Sequence, residues 1–138
     1  MPTLKTYDLF LSHVWRRAYN SEYYRLERLI QGALYFTWRN YSVPEHDPLG
    51  TKSDVELRMA LDRQIRPVNR FLVVAGMYVH YRKWIQEEID IANRYGKPIV
   101  GIVPLGQQRT PDEVRRNATV MVGWRTDSIV SAIRRWAI

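Results

Sequence analysis

Along the chain, apolar residues alternate between short unbroken runs and stretches in which they recur every three or four positions, and that alternation repeats five times. Tyr7 to Leu11, YDLFL, is short, apolar and aromatic, which suits a strand buried on both faces. Asn20 or Ser21 can cap a helix in which Tyr23, Leu26, Ile30, Ala33 and Leu34 fall at helical spacing, with its end near Tyr35. A brief second strand is predicted from Phe36 to Tyr41. The next segment, SVPEHDPLGTK from Ser42 to Lys52, holds two prolines and a glycine and reads as a surface loop. Ser53 and Glu56 then form a capping box for a helix that turns Leu57, Ala60, Leu61 and Ile65 inward until Pro67 closes it. Arg70 to Ala75, RFLVVA, is the strongest buried-strand signal, and Gly76 marks its end.

The stretch from Arg82 to Pro104, RKWIQEEIDIANRYGKPIVGIVP, is a charged helix that breaks at a glycine and becomes an apolar strand. At about 100° per residue, Ile85, Ile89 and Ala92 share one face, and Tyr81, Trp84, Ile91 and Tyr95 widen it. Glu88 falls near the middle of that apolar arc. Glu87 projects away from it, one turn from Lys83, and Asp90 stands four residues ahead of Arg94, the favourable order for an ion pair along a helix. A carboxylate placed like Glu88 either snorkels over the rim of its face or is desolvated, hydrogen-bonded or turned toward a cavity. Gly96 stands where a C-terminal cap belongs, ahead of Pro98. Ile99 to Val103 is a fourth strand. Thr110, Pro111 and Glu113 predict a short helix, Ala118 to Val122 a fifth strand, and Thr126 can cap a last helix burying Ile129, Ile133 and Trp136.

Five alternations of strand and helix point to a parallel sheet with helices on both faces, in a single domain spanning residues 1–138. In such folds ligands bind beyond the C-terminal strand ends. Three segments are thereby gathered: Ser12 to Trp15, Asn40 to Pro48, and Gly76 to Glu88. Trp15, Tyr41, Tyr78, Tyr81 and Trp84 can stack on planar rings, while His13, Asn40, His46 and Glu88 can supply hydrogen bonds.

Composition narrows the chemistry. The 138 residues suit one core, and 46% hydrophobic with 25% charged residues is ordinary globular usage. No cysteine is present, which removes disulfides, thiolate nucleophiles and cysteine-ligated metals, and fits a cytoplasmic setting. No apolar run reaches the roughly 18 residues of a membrane span, and the opening residues do not resemble a targeting segment, so no membrane partner is expected. The net charge of +7 favours anionic partners. The arginines are scattered as pairs without any nucleic-acid reader motif, which disfavours nucleic acid.

Several familiar sites are missing their residues. SHVWRR after the first strand has no glycine or lysine for a phosphate-binding Walker loop, and no GxGxxG turn exists. A receiver domain needs acids after the first strand and an aspartate after the third, where this chain has Ser12-His13 and Gly76-Met77. His13, His46 and His80 stand on three loops without paired spacing, so no metal site is expected. A Ser12-His13 nucleophile pair is disfavoured because neighbouring side chains at a strand end point to opposite faces.

With those segments in place, the chain resembles a TIR-like domain. YDLFLSH is similar to that family's opening signature, FLVVAGMY to its third strand, and RKWIQEEIDIANRYGKPIVGI to its Trp-x-x-x-Glu helix followed by a Gly-Lys-Pro strand. WRNYSVPEHDPL and GWRTDSIVSAI extend the resemblance to the TIR-like family of Thoeris anti-phage defence, the ThsB group. The resemblance implies a flavodoxin-like three-layer sandwich with a five-stranded parallel sheet of order 2-1-3-4-5. It also implies cleavage of the nicotinamide–ribose bond of NAD+, a substrate and not a resident cofactor, with the catalytic glutamate falling on Glu88. Substrate contacts are implied for Ser12, His13, Trp15 and Asn40, and for Tyr41, Gly76, Tyr81 and Trp84. Gly76-Met77 departs from the serine-containing strand end common in TIR domains. The ADP-ribosyl group would become a diffusible nucleotide signal for a separate effector protein, under a phage-derived trigger and with homo-oligomers completing some family sites. Two other readings stay open at this level: a non-catalytic TIR-like interaction module, and a nucleoside deoxyribosyltransferase-like enzyme.

Overall fold

The computed structural model describes residues 6–12, 21–42, 54–74, 82–103 and 112–135. Ten elements alternate along them: β1 (Thr6–Leu11), α1 (Ser21–Gln31), β2 (Thr37–Asn40), α2 (Asp54–Ile65), β3 (Arg70–Val74), α3 (Arg82–Arg94), β4 (Ile99–Val103), α4 (Asp112–Asn117), β5 (Val120–Gly123) and α5 (Thr126–Arg135). The strands form one parallel sheet of order β2-β1-β3-β4-β5, as expected. Central strands β1, β3 and β4 are almost entirely buried, which is why they read as unbroken apolar runs. Edge strand β2 alternates between exposed and half-buried positions. Helix α2 packs against α3, and α1 against α5, so each pair builds one helical layer.

The core follows from register. Phe10 of β1 is paired with Phe71 of β3, and their rings stack 5.5 Å apart. Around them close Leu26 and Ile30 from α1, Leu61 and Ile65 from α2, Ile85 and Ile89 from α3, and Ile129 and Ile133 from α5, all fully buried. Arg70 is buried too, at the opposite end of the sheet from the strand-end site. Its Nε donates to the Ile133 carbonyl 3.1 Å away in the last turn of α5, where a cation is favoured.

Several element ends differ from expectation. Helix α1 stops at Gln31 instead of near Tyr35, and Leu34 is 81% exposed instead of on the buried face, with Tyr35 80% exposed beside it. Gly32 weakens the helix there, and the chain turns through a positive φ of 56° at Tyr35. That turn lets Phe36 stack on Tyr7 at 5.3 Å, with the Arg134 guanidinium over its ring and donating to the Tyr35 carbonyl. Strand β2 ends at Asn40, whose side chain accepts the Ser42 amide at 2.9 Å in an Asx turn. Ser42, read as the start of a surface loop, is therefore buried. Strand β5 begins at Val120 because the Ala118 amide still donates to Val114 and closes α4. Thr126 does not cap α5: its hydroxyl donates to the Leu29 carbonyl at 2.7 Å, and the first helical bond runs from the Ile129 amide to Arg125. Arg94 reaches Asp62 of α2 instead of Asp90, which accepts from Gln86. The expected parts played by Ser53, Thr110, Pro111 and Trp136, and by the Tyr23 and Leu57 side chains, lie outside the described residues.

The end of α3 is as expected. Gly96 has φ 65°, its amide donates to Asn93, and the Lys97 amide donates to Ala92, the paired bonds of a Schellman cap. A Cβ at Gly96 would meet nothing within 4 Å, so the left-handed backbone alone penalises a side chain there. Gly96→Ala should cost about 1 kcal/mol of stability and Gly96→Asn less, as read from urea denaturation midpoints.

Candidate active site

Helix α3 turns Ile85, Ile89 and Ala92 onto the sheet, and Glu88 on the same face is 0% exposed. Its carboxyl reaches the residue that follows β1. The Ser12 hydroxyl donates to Glu88 Oε1 at 2.6 Å, and Ser12 is itself fully buried. The Ser12 amide donates to the Leu72 carbonyl at 2.8 Å, extending the β1–β3 pairing by one residue and fixing the hydroxyl. Glu88 Oε2 has no hydrogen-bond partner among the described residues. The snorkelling alternative is thereby removed for Glu88.

Position within the sheet gives this pair its meaning. From β1 the chain crosses to β2 on one side, and from β3 to β4 on the other, so the strand order reverses between β1 and β3. Ser12 and Glu88 meet at that switch point, where open parallel sheets bind ligands. Desolvation pushes the Glu88 carboxyl well above the ordinary carboxylate range, against the opposing effect of the Ser12 bond, which favours the charged form. Glu87, one residue earlier, points the other way and accepts from Arg58 Nε of α2 at 3.0 Å. Two adjacent acids thus have opposite surroundings.

A second polar chain ties the ends of β1 and β2. Asn40 Nδ2 donates to Glu27 of α1 at 2.9 Å, while Asn40 Oδ1 accepts from the Ser42 amide and also from the Ser42 hydroxyl. Ser42 Oγ in turn accepts the Leu11 amide at 3.4 Å. Asn40 thereby supports the strand ends, and Tyr41 is half-buried against the core, its amide donating to the Leu9 carbonyl at 2.9 Å. Sequence reasoning missed Glu27 and Ser42. The Asn40-x-Ser42 spacing was the available signal for the latter, since an Asx turn closes over two residues.

Among the sequence-derived site residues the structure brings together Ser12 and Glu88, and places Asn40 and Tyr41 at the neighbouring strand end. His13, Trp15, Gly76, Tyr81 and the Trp84 side chain lie outside the described residues, as do Tyr78, His46 and His80. Two surface clefts are lined by described residues elsewhere, one of about 390 Å³ between α2 and α3 and one of about 620 Å³ between α1 and α5. No cluster of three metal-ligating side chains occurs among the described residues, and no described helix is long and apolar enough to cross a membrane.

The strand order and the carboxyl at the switch point define a flavodoxin-like α/β protein. A family model described as the TIR-like domain of Thoeris protein ThsB matches residues 10–109, most of the chain, and the protein belongs to that family. No curated protein sequence matches it. Among solved structures it is similar to the CMP N-glycosidase BcmB of Clostridium botulinum, at 15% identity over 94% of this chain and 98% of that one, with a TM-score of 0.54. It is also similar to FerB, an NAD(P)H:acceptor oxidoreductase flavoenzyme of Paracoccus denitrificans, at 17% identity over 97% and 100% of the two chains, with a TM-score of 0.50. At those identities both likenesses establish the fold.

The raised Glu88 carboxyl has a definite consequence for stability. Below the ordinary value of 4.5, native and unfolded chains are both protonated at this residue. As pH rises past it the unfolded chain ionises while native Glu88 keeps its proton, so the native state loses stability until pH passes the raised native value. Glu88→Gln, which removes the titration and keeps an acceptor for Ser12, should become more stable than wild type as pH rises, by up to about 1.4 kcal/mol per pH unit. Urea denaturation of both proteins from about pH 5 to 8 measures the difference.

Proposed function

We propose that this protein is an NAD+-processing enzyme of anti-phage defence, in which Glu88 promotes cleavage of the nicotinamide–ribose bond. The ADP-ribosyl group then passes to an acceptor, forming a nucleotide signal that activates a separate effector. The observation that carries this reading is the wholly buried Glu88 at the switch point, one oxygen held by Ser12 and the other without a partner among the described residues. A folding role alone does not account for it, because an unpartnered buried carboxyl oxygen costs stability that an apolar residue would not.

The chemistry suits one carboxylate. When the C1′–N bond breaks, its electron pair neutralises the pyridinium, so nicotinamide leaves without a general acid, unlike the leaving groups of ordinary glycosidases that require two carboxyl groups. Glu88 in its charged form offsets the positive charge developing at the anomeric carbon and takes the acceptor's proton as the new bond forms. Substrate binding itself favours that charged form, because a pyridinium cation close to a desolvated carboxyl lowers its pKa. Ser12 holds one oxygen in place while the other faces the reacting centre.

The fold alone does not select the substrate, so the test includes a nucleotide with a neutral base. Wild type and Glu88→Gln are incubated with NAD+ or with CMP, with and without extract of phage-infected cells, and the products are analysed by mass spectrometry. Nicotinamide release by wild type should fall at least about 100-fold in Glu88→Gln. Equal release by the two proteins removes Glu88 from the chemistry, and base release from CMP in preference to NAD+ reassigns the substrate.

A further inference from the structure

Away from the strand ends, described residues of α2 and α3 line a polar groove. One wall carries Arg58 and Arg63 of α2 and Arg66 just beyond its end, and the α3 wall carries Arg94. Two carboxylates lie among them. Asp62 accepts from the Tyr95 hydroxyl at 2.8 Å and from Arg94 at 3.4 Å, with Arg66 Nε at 3.9 Å, and Glu87 accepts from Arg58 Nε at 3.0 Å. Arg63 has no ion-pair partner among the described residues, and Arg58 is engaged only through Nε there, leaving its terminal nitrogens available. Exposed ion pairs of this kind add little to stability, so folding does not explain four arginines gathered around two acids.

Apolar surface accompanies the charge. Met59 lines the groove at 55% exposure, and Val55, one turn earlier on the same helix, is 62% exposed. Arg58 and Arg63 on α2, with Arg66 in the turn that follows, are spread over eight residue steps, about 12 Å at the helical rise. A single phosphate does not span that length, and a nucleic-acid backbone has no aliphatic side chains for Met59 and Val55. A second copy of this chain is a poor match, because every described helix carries arginine in its last turn and the net charge is +7.

We propose that the α2–α3 groove docks an acidic amphipathic helix of a partner protein, its carboxylates meeting Arg63 and the outer guanidinium edges and its apolar side chains covering Met59 and Val55. Spaced carboxylates answer spaced arginines, and the apolar stripe supplies the desolvated contact that makes such an interface more than electrostatic steering. The surface is independent of the reading of Glu88, which is fully buried and does not line the groove.

Fluorescence anisotropy with a labelled helical peptide, Glu and Leu alternating at helical spacing over about three turns, tests this. Saturable binding is expected, weakened at least about tenfold by Arg63→Ala with Arg66→Ala and likewise by Met59→Glu. Arg115→Ala with Arg116→Ala, an equal loss of charge on α4, should change it less than about twofold. Circular dichroism checks that each variant is folded. The proposal is overturned by absent binding, by equal weakening in the α4 variant, or by displacement of the peptide by equimolar tripolyphosphate or single-stranded RNA.

Discussion

A carboxyl group without water at the C-terminal end of a parallel sheet is the constraint around which this protein is arranged. Glu88 lies on the only face of α3 that can seat the helix, between Ile85, Ile89 and Ala92, so seating the helix necessarily buries the acid. An isolated charge there would be prohibitive, and keeping the proton relieves most of that penalty. The Ser12 hydroxyl, locked by its own amide bond to Leu72, supplies a fixed partner for one oxygen. The arrangement is stable because the apolar neighbours outweigh one imperfectly satisfied polar group.

The polar groups of the molecule are unevenly distributed as a result. Across the middle of the sheet Leu9 to Leu11 of β1, Phe71 to Val74 of β3 and Ile99, Val100 and Ile102 of β4 are apolar and buried, with the Phe10 and Phe71 rings stacked. At the C-terminal ends the ladder gives way to side-chain bonds: Ser12 to Glu88, and Ser42 and Asn40 to Leu11 and Glu27. Strand ends in a parallel sheet expose backbone groups that pairing no longer satisfies, and short polar side chains meet that demand. The same side chains that finish the sheet therefore bring Ser12 and Glu88 together at its switch point.

Helix α3 carries two environments on one element. Its inner face holds a desolvated acid, while its outer face carries Glu87 and Arg94 into contact with α2. Adjacent residues on a helix are separated by about 100°, so a single-residue difference decides between a buried carboxyl whose pKa desolvation raises and a partly exposed ion pair. FerB and BcmB share the architecture at low identity, and a shared scaffold does not by itself select a function.

Periodicity was enough for the alternation of strands and helices, the apolar runs of β1, β3 and β4, the glycine cap of α3 and the position of Glu88 on the apolar arc, because each follows from local spacing and backbone preference. The helix wheel separated Glu88 from Glu87 without any tertiary information. It could not decide between a rim position and full burial, since that depends on how closely α3 approaches β1. Partner choice was equally hidden: Arg94 passes over Asp90 for Asp62, Thr126 bonds Leu29 instead of capping its helix, and Glu27 supports Asn40. Those bonds join residues far apart in the chain, and no local rule selects among several donors of similar reach. What the sequence determined by itself was which residues face inward, since that depends on a repeat a few residues long. Which polar groups meet there was decided only by the tertiary structure, through the distances between packed elements.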